Sequence, residues 1–122
     1  MILLDTNAVI WTLQNHRRAR PLARLPRVYI SPASVLELQL LTETGRLRPL
    51  AGKVVGDIAH DPRWLQDEPA SGDWFHTALD IGWTRDPFDR LIVAHARLRG
   101  WKLATGDAAL AGHLSPRELI AL

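Results

Sequence analysis

The chain has 122 residues, 47% apolar and 23% charged, with a net charge of +2, which fits a folded globular domain and excludes a disordered or fibrous chain. It has no apolar run near the roughly 20 residues of a membrane span, and no cysteine, which excludes disulfides and thiolate metal sites and fits a reducing cytoplasm. The N-terminal MILLDTNAVIW carries an acid within its apolar start and no basic leader, so it does not read as a secretory signal.

In chain order, residues 1–4 form a short apolar run that reads as a buried strand ending at Asp5. Asp5-Thr6-Asn7 supplies N-cap chemistry for a helix over 8–13. Residues 15–25 are basic, with Pro21 at a turn or a helix start. RVYIS at 27–31 is a second strand, and Ser31-Pro32 opens a helix over 32–44 that Gly45 closes. A helix over 50–59, a short edge strand within 64–69 and a helix over 71–81 follow. The clearest helix runs over 87–99, with Asp86 as N-cap, Pro87 as its first residue and Gly100 at its end. WKLAT at 101–105 is a strand, Asp107 starts a short helix, and 118–122 is a last strand. Strands alternating with helices predict an α/β fold, with a mainly parallel sheet between helices and residues 1–122 as one domain. Such sheets bind ligands beyond the carboxyl ends of their strands.

Charge is unevenly spread. Residues 1–50 hold seven arginines against three acids, a net of +4; residues 51–89 have a net of −5, and residues 90–122 a net of +3. Only Lys53 and Lys102 are lysines. Arginine binds phosphate bidentately and stacks on bases. A genomic preference for arginine codons explains the excess as well, and both readings stand.

Five acids carry the functional reading. Asp5 follows the first strand directly and Asp107 comes two residues after WKLAT, so both belong at one edge of the sheet. Each is also a good helix cap. Glu37 shares a helix face with Ala33, Leu40 and Leu41, where an ionised carboxylate is costly without a cation. In TRDPFDR, Asp86 caps and Asp89 lies in the first turn, on the face of Ile92, Val93 and Ala96. A doubly wound sheet brings Asp5, Glu37, Asp89 and Asp107 together. Carboxylates so placed repel, and a hard divalent cation, Mg²⁺ or Mn²⁺, relieves the conflict. Arg90 and Arg97, on another face of that helix, are expected to reach solvent or a polyanion. The five histidines have no zinc spacing, His95 reads as structural, and no glycine-rich phosphate loop occurs. The five tryptophans read mostly as core or dimer surface, with Trp11 and Trp83 as alternatives for stacking on an unpaired base.

LLDTNAVIW at 3–11, SPASVLEL at 31–38, TRDPFDRLIVAHA at 84–96 and LATGDAAL at 103–110 occur together in this order. On these motifs the chain resembles the PIN-domain ribonucleases found as VapC toxins in bacterial toxin–antitoxin pairs. The resemblance implies a PIN-like three-layer α/β/α sandwich around a five-stranded parallel sheet. It also implies Mg²⁺- or Mn²⁺-dependent endoribonuclease activity on RNA, a homodimer and a VapB-like antitoxin partner. It maps the metal-holding acids onto Asp5, Glu37 and Asp89, with Asp107 as a fourth and Asp86 as an auxiliary. Thr6, Asn7 and Thr105 match polar positions that orient the acids or the metal's waters; with Arg85 and Arg90 they are the candidate substrate contacts. Segment 60–73 carries none of the resemblance. The expected reaction is hydrolysis by metal-activated water, leaving 5′-phosphate and 3′-hydroxyl ends. One rival is a Mg²⁺-dependent phosphatase on small phosphate esters, which would usually carry an acid where Asn7 stands. The other is a non-catalytic RNA- or protein-binding module whose acids are only helix caps.

Overall fold

A computed structural model describes residues 1–46 and 60–122. Its elements are β1 (Ile2–Leu4), α1 (Thr6–Leu13), a 3-10 helix (Arg17–Leu22), β2 (Val28–Ile30), α2 (Pro32–Glu43), β3 (Trp64–Gln66), α3 (Ser71–Ala78), α4 (Pro87–Arg99), β4 (Lys102–Thr105), α5 (Ala108–Gly112) and β5 (Leu119–Ala121). The five strands form one sheet in the order β3-β2-β1-β4-β5. Every neighbouring pair is parallel, with Leu3 opposite both Tyr29 and Leu103.

Successive strand residues point to opposite faces, and the core divides accordingly. Leu4, Val28, Ile30 and Ala104 pack with Ala8, Val9, Leu22 and Leu38 on one face. Leu3 and Leu103 pack with Trp74, Ile81, Ile92 and Val93 on the other. Leu3, Leu4, Val28 and Ile30 are wholly buried; each such side chain contributes about 1.5–3 kcal/mol through burial. The helices on the two faces complete a three-layer α/β/α sandwich.

The topology positions the site. From β1 the chain steps outward to β2 and β3, then returns through α3 and α4 to lay β4 on the other side of β1. The strand order therefore reverses between β1 and β4. The crevice at the carboxyl ends of these two strands is the switch point where such sheets bind ligands. Asp5 leaves β1 there and Asp107 leaves β4 there.

The predicted elements form with local differences. Helix α1 starts at Thr6, because Asp5 itself is the cap and accepts the Ala8 N–H at 2.8 Å. The basic stretch becomes a 3-10 helix with Pro21 inside it. Arg18 ties it to the carbonyls of Gly106 and Leu122, and Arg63 to those of Leu22 and Leu25. Helix α3 stops at Ala78, short of residue 81. The N–H groups of Leu79, Asp80 and Ile81 bond three residues back instead, and this tighter path carries Ile81 into the core. β3 forms at the sheet edge but is shorter than 64–69. The predicted helix over 50–59 lies outside the described residues. Among the described residues, no helix is long and apolar enough to cross a membrane.

Candidate functional site

A cleft of about 280 Å³ opens at the switch point. It is lined by Asp5, Thr6, Asn7, Glu37, Leu41, Arg46, Asp86, Asp89, Asp107 and Leu110. All five acids named from the sequence reach this one place. Three do so as helix caps. Asp5 caps α1, Asp86 caps α4 through the N–H groups of Phe88 and Asp89, and Asp107 caps α5 through those of Ala109 and Leu110. Each cap ends on Oδ1 of its aspartate. A carboxylate has about four lone-pair sites on two oxygens, so capping leaves capacity for another partner.

Glu37 and Asp89 cap nothing. Glu37 lies mid-helix in α2, half-buried, where the Thr6 hydroxyl hydrogen-bonds it. Burial, and then the charges of Asp86 and Asp5, still hold its carboxyl above the usual range. Asp89 is half-buried in the first turn of α4. The helix dipole favours an acid there, but burial and the charges of Asp86, Glu37, Asp107 and Asp5 push its pKa up to about 7. Burial also raises Asp5, against hydrogen bonds from the Thr105 hydroxyl and the Ala8 N–H; Asp107 raises it further, and Arg18 lowers it. Mutual repulsion is thus a physical property of this cleft.

Polar neighbours fix the acids. Thr105 is buried; its hydroxyl bonds Asp5 and accepts the Asp107 N–H at 3.0 Å, joining the acids of β1 and β4. Thr6 is buried beside Ser34, with 3.2 Å between their hydroxyls. Asn7 is exposed in the cleft lining. Arg85 is exposed, whereas Arg90 is half-buried and its Nε donates to the Thr84 carbonyl at 2.7 Å. Arg90 therefore braces the turn before α4 rather than projecting into solvent, and Arg97 pairs with Glu118 at 2.9 Å. The expectation that both reach solvent or a polyanion fails for Arg90, which the Thr84 carbonyl holds, whereas Arg97 is exposed with Glu118 as its partner. Two lining or neighbouring bases went unnamed in the sequence, Arg46 and Arg18. Arg18 acts on Asp5 from a segment whose only sequence signal is its basicity.

The donor set suits a hard divalent cation: carboxylate oxygens only, from several elements, with too much negative charge. Among the described residues, no three His, Cys, Asp or Glu side chains stand close enough together to hold a metal ion between them. Mg²⁺ does not require three, since it keeps several waters and takes one or two carboxylates together with substrate phosphate.

His95 and the tryptophans lie outside the cleft lining. His95 is wholly buried, and its Nε2 meets Asp67 Oδ2 at 2.7 Å. Arg99 holds the same carboxylate through Nε and Nη2, at 2.8 and 3.2 Å. Asp67 comes from the 60–73 segment, which also supplies β3. Trp64 and Trp74 are core. Trp11 stacks on His16 with Arg18 above its ring, and Trp83 stacks on His113 at 4.1 Å, so each already has a partner within the chain.

Comparison with known proteins agrees with this geometry. A family model described as PIN domain matches residues 2–112. Ribonuclease VapC22 of Mycobacterium tuberculosis is 29% identical over 126 residues, covering 97% of this chain and 95% of that protein. A toxin–antitoxin complex from Klebsiella pneumoniae contains a chain of the same fold, with a TM-score of 0.72 at 17% identity over 99% of this chain and 97% of that one. VapBC2 from Rickettsia felis, bound to a DNA fragment from its promoter, matches with a TM-score of 0.68 at 18% identity, over 99% and 98% of the two chains. With its parallel sheet ordered 3-2-1-4-5 and a match across nearly its whole length, this chain belongs to the PIN domain family.

Proposed function

We propose that this protein is a Mg²⁺- or Mn²⁺-dependent endoribonuclease, the toxin of a VapBC-type toxin–antitoxin pair. The observation that carries the reading is the one cleft that Asp5, Glu37, Asp86, Asp89 and Asp107 line together, where burial and neighbouring carboxylates raise the pKa values of Asp5, Glu37 and Asp89. The family and the ribonuclease relative support it. Asp5, Glu37, Asp89 and Asp107 would hold the cation, with Asp86 as an auxiliary. A bound divalent ion supplies positive charge at the reacting phosphate and a water of lowered pKa. Asp89 would hold the ion in its ionised form, which its burial among other carboxylates otherwise disfavours. Thr105 keeps Asp5 and Asp107 in register, and Thr6 steadies Glu37. The reaction is hydrolysis: a water oxygen bonds to phosphorus and the P–O3′ bond breaks, leaving a 5′-phosphate and a 3′-hydroxyl. Exposed apolar side chains on α2 (Leu36, Leu40), on α3 (Phe75) and just past its end (Leu79) suit burial against a second copy or an antitoxin. The similar solved chains come from toxin–antitoxin complexes.

The binding-module rival gains something from the structure, since three of the acids do cap helices. Glu37 and Asp89 argue against it: they cap nothing and still face the cleft. A magnesium titration of RNA cleavage, with EDTA and Asp89→Asn as controls, separates the readings. We expect EDTA to stop cleavage. Asp89→Asn should lower it roughly 10²–10³-fold, the scale of losing one preorganised electrostatic contact, with an unchanged circular dichroism spectrum. Cleavage indifferent to EDTA, or at the parent rate in the variant, contradicts the proposal.

A further inference from the structure

The cleft explains the acids but not the arginines. Between Asp5 and Glu37 the sequence has no acid, while Arg17, Arg18, Arg20, Arg24 and Arg27 fall within that stretch. Arg17, Arg20, Arg24 and Arg27 are exposed. Among the described residues, their guanidiniums make no ion pair, hydrogen bond or ring contact. Arg63, Arg90, Arg97 and Arg99 differ, each being held by a carbonyl or carboxylate of the chain.

Two of these arginines, Arg17 and Arg20, border a formed surface, and Arg24 follows just past the end of the 3-10 helix. A cavity of about 470 Å³ lies beside the 3-10 helix, with His16, Arg17, Arg20 and Arg63 in its wall. Arg63 donates to the Leu22 and Leu25 carbonyls and so fixes the end of that helix. At the other side, Arg18 reaches the carbonyl of Gly106, the residue before Asp107, at 3.0 Å. The same six-residue element thus touches both the cavity and the turn that carries a cleft acid. A 3-10 helix of that length spans about 12 Å, a reach of a few nucleotides along a strand. None of the exposed large apolar side chains falls within 14–27, which disfavours a protein as the occupant.

We propose that the 3-10 segment is a second phosphate-binding surface, on which Arg17, Arg20 and Arg24 hold single-stranded RNA that extends beyond the cleft. The identity of the ligand as RNA rests on the nuclease reading. Contacts of this kind position a strand without reading its sequence.

The test measures binding of fluorescein-labelled single-stranded RNA to the full chain in EDTA, across a range of salt concentrations. The double variant Arg17→Gln/Arg20→Gln is compared with Lys102→Gln/Arg117→Gln, which removes the same charge elsewhere. We expect several-fold weaker binding for the first variant, equal for poly(U) and mixed sequence. Its salt slope should be shallower by about 0.7 per lost contact. The second variant should bind like the parent. Unchanged affinity and slope in the first variant overturn the proposal, as does an equal loss in both, which would signal net charge alone. Retained RNA binding with loss of a poly-glutamate peptide also overturns it, by marking a protein-docking patch. Because binding is read in EDTA, a protein that binds in this pattern but never cleaves refutes the nuclease reading and leaves the RNA surface standing.

Discussion

Asp67 and Asp89 are both carboxylates at the carboxyl edge of the sheet, and the chain treats them oppositely. Asp67 is given cations: Arg99 grips both of its oxygens and His95 meets one, so its pKa falls despite burial. Asp89 is given only burial and other carboxylates, and its pKa rises to about 7. A structural acid thus brings its counter-charge with it. Asp89 has no such partner among the groups that shift it. A strongly raised carboxyl in a cleft is the pattern expected of a functional site, as proposed above, whereas a lowered one in an ion pair is the pattern of a structural contact.

The contrast predicts opposite signs in metal-free protein. Asp67→Asn should destabilise the fold by about 1–3 kcal/mol at neutral pH, because it strips Arg99 and the buried His95 of their partner. Asp89→Asn should instead raise stability above pH 7, by a smaller amount. Urea melts in EDTA check both, and a loss in each variant would erase the distinction.

The pH dependence follows with the same signs. The folded pKa of Asp89 lies above its ordinary 3.8, so the folded chain holds a proton that the unfolded chain releases. Its contribution therefore declines as pH rises from about 4 to about 7 and is flat beyond. Asp67 has a depressed folded pKa, so its contribution is present above 3.8 and lost as pH falls through that lower value. Melts of parent and variants across this range should show Asp89→Asn removing the decline and Asp67→Asn removing the acid-side loss.

A separate effect, on packing, is expected beside the cleft. A Cβ at Gly106 would meet the Trp11 ring at 2.5 Å and Arg18 Nη2 at 2.7 Å. Gly106→Ala should cost about 1–3 kcal/mol by overpacking and reduce cleavage modestly through the displaced Asp107. Thermal denaturation with a cleavage assay reads both effects.

Much of this was legible because the signals are local. Asp5, Asp86 and Asp107 announced caps, and Pro87 with Gly100 bounded α4 to the residue. Alternation of strands and helices then sufficed to place the acids at one edge. Glu37 was readable as an acid among apolar helix neighbours. What escaped notice depends on partners distant in sequence. Asp67 meets His95 across 28 residues, and Arg18 reaches Gly106 and Leu122 across 88 and 104. No local pattern encodes such pairs, so the sequence shows segment 60–73 only as an edge strand and a helix start, and leaves Arg90 looking free. Helix α3 was read too long because composition does not reveal where the core pulls a residue such as Ile81 inward.

Direct manganese binding, followed by electron paramagnetic resonance at a pH above 7, tests whether the cleft is built for a cation. The parent should show saturable binding that weakens as pH falls through 7, when Asp89 takes up its proton, and Asp5→Asn and Asp89→Asn should each abolish it. Absent binding in the parent, or equal binding in parent and both variants, would contradict a metal site formed by these carboxylates.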